Sequence, residues 1–193
     1  MLEVEIKAFT GSRTESSIES TAIKLGFTKD DVLEETDLYF NGNDRNFIKT
    51  DEALRLRTCL SLTKGTSESY ITYKGPKLDD RSSTRKEFET AVGSFDVMKA
   101  LLASLGYTQA FTISKTRKTW ILNRSDDKPQ ITLCIDSVTG LGNYAELETL
   151  VNSPEDVQRA TDMLLDMLNA FNIPRENLTR KSYLELLFMA NKC

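Results

Sequence analysis

The sequence contains no histidine. That absence removes Ser-His-Asp and Cys-His nucleophilic catalysis, and every zinc or haem centre built on an imidazole ligand. Cysteine is scarce. Cys59, Cys134 and Cys193 form an odd set without a Cys-x-x-Cys pair, which reads as reduced thiols in a cytoplasmic protein. No apolar run approaches the ~20 residues of a membrane-spanning helix. Residues 1–9 carry neither a basic start nor a long apolar stretch, so no secretory signal is expected. A dominant sign of charge is missing too: 25 Lys and Arg face 29 Asp and Glu, a net charge of −4. Neither a nucleic-acid nor a membrane partner is therefore expected, although a local basic patch remains open. With imidazole gone and thiols unpaired, a bound metal must be held by oxygen, which favours Mg²⁺, Mn²⁺ or Ca²⁺.

The 193 residues, 39% of them hydrophobic, are too apolar for a disordered chain and suffice for one domain spanning 1–193. Strand patterns dominate. Alternation predicts strands at 2–9, 53–60, 69–75, 85–91, 130–137 and 143–150, with less regular candidates at 34–40 and 110–122. The last is either one long bent strand or two strands meeting near Lys118. Polar loops are expected at 41–52, 61–68, 76–83 and 125–129. Helical periodicity is confined to 14–25, ending at Gly26; to 95–105, between Ser94 as N-cap and Gly106; to 154–171, introduced by Ser153-Pro154 and Asp156; and to 179–190.

The polar positions of these strands are unusual. They are fully charged and recur at i, i+2: Glu3, Glu5 and Lys7; Arg55 and Arg57; Arg85, Glu87 and Glu89; Lys115 and Arg117; Glu146 and Glu148. Lys74 and Asp136 add one charge each. On any single strand this describes a solvated outer face, where ion pairs contribute little. Repeated on strand after strand it is less economical, because Glu and Lys are poor strand formers and Thr, Ser or Gln serve as well facing water. A sheet closed into a barrel turns the charged faces into a polar lumen and leaves Val4, Ile6, Leu54, Leu56 and Leu147 to pack under helices. The expected fold is thus α+β, a barrel with helices outside. Charge inside a lumen is costly unless it is paired or bound to ions. Guanidinium groups suit bidentate phosphate contacts and carboxylates suit hard divalent cations. The two sets together fit a polyphosphate carrying a metal.

The same residues resemble a known family. Glu3-Val4-Glu5-Ile6-Lys7 matches the E-x-E-x-K signature of the CYTH superfamily, the triphosphate tunnel metalloenzymes. Ordered companions follow: Asp37-Leu-Tyr-Phe, the Leu-Arg-Leu-Arg of Arg55 and Arg57, Thr-Tyr-Lys-Gly-Pro at Lys74, and Arg85-Lys-Glu-Phe-Glu. Ser-Lys-Thr-Arg-Lys at Lys115 and Arg117 comes next, then Asp136 and the segment Gly140 to Glu148, then Lys181-Ser182-Tyr183. The 140–148 and 181–187 segments are most similar to the class IV adenylyl cyclase branch. This resemblance implies an eight-stranded antiparallel tunnel with helices outside. It implies a triphosphate (ATP or similar) bound by Lys7, Arg55, Arg57, Lys74, Arg85, Lys115 and Arg117. It also implies Mg²⁺ or Mn²⁺ on Glu3, Glu5, Asp136, Glu146 and Glu148, with Glu3, Glu5, Lys7, Glu146 and Glu148 catalytic.

Blander roles stand beside these. Glu87 and Glu89 have a second role open as counter-charges to Arg85, and Asp136 as a turn former. Lys181 either reaches the tunnel mouth or is solvated. Gly140 and Gly142 serve a backbone turn, Trp120 and Tyr144 serve packing, and Cys59 has no catalytic company. Any histidine role known in the family has no counterpart here. The resemblance leaves three activities open: cyclisation of ATP to cyclic AMP and pyrophosphate, hydrolysis of thiamine triphosphate, tripolyphosphate or a nucleoside triphosphate, and binding without catalysis. A homodimer is also left open.

Overall fold

A computed structural model describes residues 2–78, 85–123 and 129–190. Most of the expected loops 76–83 and 125–129, and Cys193, lie outside the described residues. Among the described residues eight strands form the barrel: β1 (Leu2–Phe9), β2 (Thr28–Asn41), β3 (Ala53–Ser61), β4 (Thr66–Lys77), β5 (Arg85–Ala91), β6 (Thr108–Leu122), β7 (Ile131–Val138) and β8 (Gly142–Val151). They run in the order β5-β4-β3-β2-β6-β7-β8-β1, every neighbour antiparallel, and β1 returns to β5 with Glu3 opposite Arg85. The sheet is a closed barrel, as the alternation required.

Four helices lie against it: α1 (Glu15–Lys24), α2 (Phe95–Ser104), α3 (Val157–Ala170) and α4 (Tyr183–Ala190). Thr14 and Ser94 cap α1 and α2 by accepting from the Ser17 and Val97 amides. Gly26 and Gly106 follow the helix ends at φ +88° and +90°, where a Cβ would be strained. Apolar packing lies outside the barrel rather than at its centre. Val4, Ile6, Leu133, Ile135 and Leu147 face outward beneath Ile18 and Ala22 of α1 and Leu164 and Leu168 of α3. Leu38, Phe40, Leu54 and Leu56 pack with Leu102 of α2.

Several boundaries differ from expectation for identifiable reasons. The less regular segment 110–122 is one continuous strand, paired with β2 along its length through two register shifts. β2 begins at Thr28 rather than residue 34. Its polar start is held by Asp31, which accepts from Ser61 Oγ at 2.8 Å and from the Val32 amide at 2.7 Å. The expected loop 61–68 is a tight hairpin turn with Gly65 at φ +68°. Pro154–Asp156 forms a 3₁₀ turn before α3, because Ser153 Oγ bonds the Asp156 carboxylate instead of capping an amide. The last helix starts at Tyr183, not at 179. Leu178–Thr179 (β9) is taken up by β1, pairing with Ala8 and Lys7, and Ser182 and Glu185 then form a reciprocal capping box.

One end of the barrel changes character. The inward positions of five strands switch from charged to apolar at one level: Asp37 to Tyr39, Arg55 to Ala53, Lys115 to Ile113, Asp136 to Val138, Glu146 to Tyr144. These residues pack with Tyr183 and Leu184, so α4 closes that end.

Candidate active site

Inside the barrel lies a cavity of ≈ 580 Å³, within the ordinary range for a small-molecule site. Glu3, Glu5, Lys7, Arg55, Arg57, Lys74, Arg85, Glu87, Glu89, Lys115, Arg117, Glu146 and Glu148 all line it. Six different strands bring these together. Asp136 is placed differently. Its carboxylate points inward but is fully buried, with Oδ1 held by Arg117 Nε at 2.7 Å and Oδ2 by Arg117 Nη2 at 2.6 Å and the Tyr183 hydroxyl at 2.8 Å. These contacts, with Lys115 Nζ at 3.5 Å, fix Arg117 in place.

Lumen charges are mostly matched across neighbouring strands. Asp37 stands opposite Arg57, Asp136 opposite Arg117, Glu87 opposite Lys74, Glu146 opposite Lys7, and Glu35 opposite Lys115. Arg57 is gripped bidentately by Asp37 at 2.6 and 2.8 Å and touches Glu35 at 3.0 Å. Burial raises the Glu35 pKa, but the charges of Lys115 and Arg57 outweigh it and hold the carboxyl at about 2. Arg85 is pinned to Asp51 Oδ1 at 2.8 Å and to the Gly75 carbonyl, so it ties loops together as well as lining the cavity. Arg55 is held more loosely, by Thr72 at 3.1 Å, Glu89 at 3.3 Å and Asp37 at 3.9 Å. Of these partners Glu35, Asp37, Thr72, Asp51 and Tyr183 were not among the site residues expected from sequence. Glu35 and Asp37 follow the same i, i+2 rule as the others and were legible in principle.

On the β1–β8 wall the matching fails. Glu5 stands directly opposite Glu148. Like charges so placed destabilise a sheet, the more so when buried. Glu148 is raised to about 8, first by burial and then by the charge of Glu3; Glu3 is raised to about 7, first by burial, which Lys74 opposes and Glu87 and Glu5 reinforce. Glu5 Oε1 is buried and accepts no hydrogen bond, its contact with Lys7 being an ion pair at 3.1 Å. Lys7 also pairs with Glu146 at 3.0 Å. Among the described residues no three such groups form a closed metal cage. An oxygen-rich wall on which Glu3, Glu5 and Glu148 crowd one another nevertheless fits a hard divalent cation in its donor chemistry.

The mouth beside α4 is lined by Phe47, Ile48, Leu184, Phe188 and Met189 as well as by Arg180 and Lys181, so Lys181 does reach it. A second cavity of ≈ 370 Å³, including Asp31, Glu35, Cys59 and Glu68, shares Arg57 and Glu89 with the first. Cys59 and Cys134 are free thiols. Trp120 and Tyr144 are buried in packing, as expected.

A closed antiparallel barrel whose interior is a charged cavity defines a tunnel protein, with its ligand site inside the sheet rather than on a loop surface. The chain belongs to the CYTH family, whose domain matches residues 1–183. A candidate adenylate cyclase of Methanocaldococcus jannaschii is 36% identical over 186 residues, covering 96% of this chain and 98% of the relative. The structure of the PH1819 protein from Pyrococcus horikoshii OT3 superposes with a TM-score of 0.85 at 32% identity, over 97% of this chain and 98% of that one. A candidate adenylyl cyclase from Hippeastrum, described as having a dominant triphosphatase activity, shares the fold at 15% identity and a TM-score of 0.61, over 100% of this chain and 96% of that one. No helix among the described residues is long and apolar enough to cross a membrane.

Proposed function

We propose that the protein is a divalent-metal-dependent enzyme acting on a nucleoside triphosphate, converting ATP to cyclic AMP and pyrophosphate. The observation that carries this reading is the like-charged Glu5–Glu148 pair in a cavity whose other strand charges mostly face an opposite charge across the ladder. Binding an anion needs only the bases; a buried surplus of carboxylate on one wall is useful when a cation arrives with the anion. That asymmetry counts against a purely binding role. Glu3, Glu5, Glu146 and Glu148 would hold Mg²⁺ or Mn²⁺, which supplies charge neutralisation at the phosphates and acidity at a coordinated hydroxyl. Asp136 is better suited to fixing Arg117.

The bases then do the remaining work. Arg55, Lys74, Lys115 and Arg117 grip the phosphates along the lumen, and Lys7 screens the acids from them. Arg57 and Arg85 contribute charge while holding the wall, and Arg117 does both, with one edge fixed by Asp136. The ribose 3′-oxygen bonds to the α-phosphorus, the bond to the bridging oxygen breaks, and pyrophosphate and a proton leave. The apolar lip of Ile48, Phe188 and Met189 supports a substrate with a nucleoside end over bare tripolyphosphate. The 36% identical relative supports the same direction.

One observation favours a hydrolytic reading. The second cavity shares Arg57 and Glu89 with the first, and water held there would stand beside the phosphate-binding bases. Product analysis separates the two. The protein is incubated with ATP, tripolyphosphate or thiamine triphosphate plus Mg²⁺ or Mn²⁺, and cyclic nucleotide, pyrophosphate and orthophosphate are resolved. Cyclic AMP with equimolar pyrophosphate is expected from ATP. Orthophosphate alone would replace the cyclase reading by the triphosphatase one, and no metal-dependent product from any substrate would remove both.

A further inference from the structure

The helix that closes the barrel also reaches into it. Tyr183, the first residue of α4, is 7% exposed, and its ring lies 4.5 Å from Lys7 Nζ and 5.3 Å from Lys115 Nζ. Its hydroxyl donates to Asp136 Oδ2 at 2.8 Å, the same oxygen that receives Arg117. Its other side packs edge-on against Tyr144, with ring centroids 5.2 Å apart. One aromatic ring therefore touches two bases from strands on different sides of the lumen and, through Asp136, orders a third.

We infer that Tyr183 is a positioning residue for the phosphate-binding wall, holding Lys7 and Lys115 with their ammonium groups directed into the lumen. An ammonium has three donors and a long flexible stem, and without a constraint it samples many rotamers. A ring face that attracts both cations removes that freedom while leaving their N–H donors for carboxylates or an anion. The ring's own place is set from outside the barrel. Ser182 and Glu185 cap α4 reciprocally, and Glu185 is bridged to Lys77 of β4 at 3.3 Å, a residue that also holds Asp51 at 2.9 Å. Asp51 in turn receives Arg85. Thus the closing helix and the basic wall are mechanically one unit. A purely apolar plug would need Leu or Phe here; the hydroxyl and the two cations have no role in sealing an end.

The assignment rests on the proposed triphosphate-binding role of the lumen, so the test separates the two. Binding of inorganic tripolyphosphate to the full chain is measured by calorimetry in chelator-treated buffer, with melting temperatures recorded in parallel. Tyr183→Leu is expected to lose roughly tenfold to thirtyfold in affinity, as for loss of a desolvated cation–π contact. Tyr183→Phe, which keeps the ring, is expected to stay within about threefold of wild type. In turnover the defect is expected in KM rather than kcat. Unchanged affinity in a folded Tyr183→Leu variant, or an equal loss in Tyr183→Phe, would overturn the inference and leave the functional reading standing. Failure of wild type to bind tripolyphosphate would remove the functional reading first. Should Tyr183→Leu fail to fold, the Ser182→Ala variant, which loosens the start of α4, is expected to lose about twofold to fivefold. Wild-type affinity in that variant, or a loss in a folded Tyr183→Phe well beyond about threefold, would refute the role of the ring.

Discussion

Replacing Glu5 by glutamine tests whether the β1–β8 wall is a metal site or a scaffold. In the structure Glu5 has two opposed interactions: an ion pair with Lys7 at 3.1 Å and direct cross-strand opposition to Glu148. Two full charges about 5 Å apart at an effective dielectric of about 20 would repel by roughly 3 kcal/mol, and holding Glu148 at about 8, largely protonated near neutral pH, relieves most of that. The variant gives up the Lys7 contact, but Lys7 keeps Glu146 at 3.0 Å, so its charge is not orphaned. Gain and loss are of similar size, and the melting temperature in metal-free buffer is expected within a few degrees of wild type, at about 2–4 °C per kcal/mol for a chain of this length. Turnover is expected to behave otherwise. Loss of a residue that merely supports a metal ligand costs about 10–100-fold, and a direct ligand should cost at least the upper figure. Turnover of ATP against Mn²⁺ concentration, alongside the melting curve, reads both quantities. Wild-type turnover at low Mn²⁺ would refute the metal assignment, and so would a variant that simply unfolds, because that is the signature of a structural ion pair.

Two neighbouring arginines should fail differently. Arg55→Ala, whose contacts are loose, is expected to weaken triphosphate binding by roughly ten- to 150-fold and monophosphate binding far less. Arg57→Ala instead leaves Asp37 and Glu35 without their guanidinium, at a cost of about 3–5 kcal/mol in stability. Calorimetry with ATP and AMP, and a melting curve for each variant, would expose the error if both arginines lost only affinity. Acid stability offers a further check. Glu35 is held at about 2 against an ordinary 4.5, so its stabilisation is fully present above pH 4.5 and is lost as pH falls toward 2. The amount is roughly 3 kcal/mol. The melting-temperature gap between wild type and Glu35→Gln should therefore narrow steadily below pH 4.5, and a constant gap down to pH 2.5 would contradict the assignment.

Most of the barrel was legible because period-two alternation of full charges is rarely ambiguous. Glu3, Glu5 and Lys7 announced both a strand and its inward face. What escaped lay where two rules competed. Residues 28–33 look like a loop because Asp30 and Asp31 are turn formers, and partners remote in sequence, the 117–121 stretch of β6 and the Ser61 hydroxyl on Asp31, make a strand of them. Thr179 carries no sign that β1 would claim it, so the last helix was expected too early. The family pattern marks Asp136 as a site acid but does not give its partners. Its actual neighbours, Arg117 and Tyr183, depend on register and on a helix more than 40 residues away, which a one-dimensional pattern does not contain.

The placement of apolar packing outside the barrel has a thermal consequence. This molecule has a shell of hydrocarbon around an ionic centre, and the two respond to heat in opposite senses. Hydrophobic stabilisation per unit area levels off as temperature rises, whereas charged groups lose hydration free energy, so the penalty for enclosing Arg57 with Asp37, or Arg117 with Asp136, shrinks. An interior that is expensive near room temperature becomes cheaper on warming. The lumen that makes the cavity chemically useful thus also flattens the hot side of the stability curve, without any added hydrophobic volume.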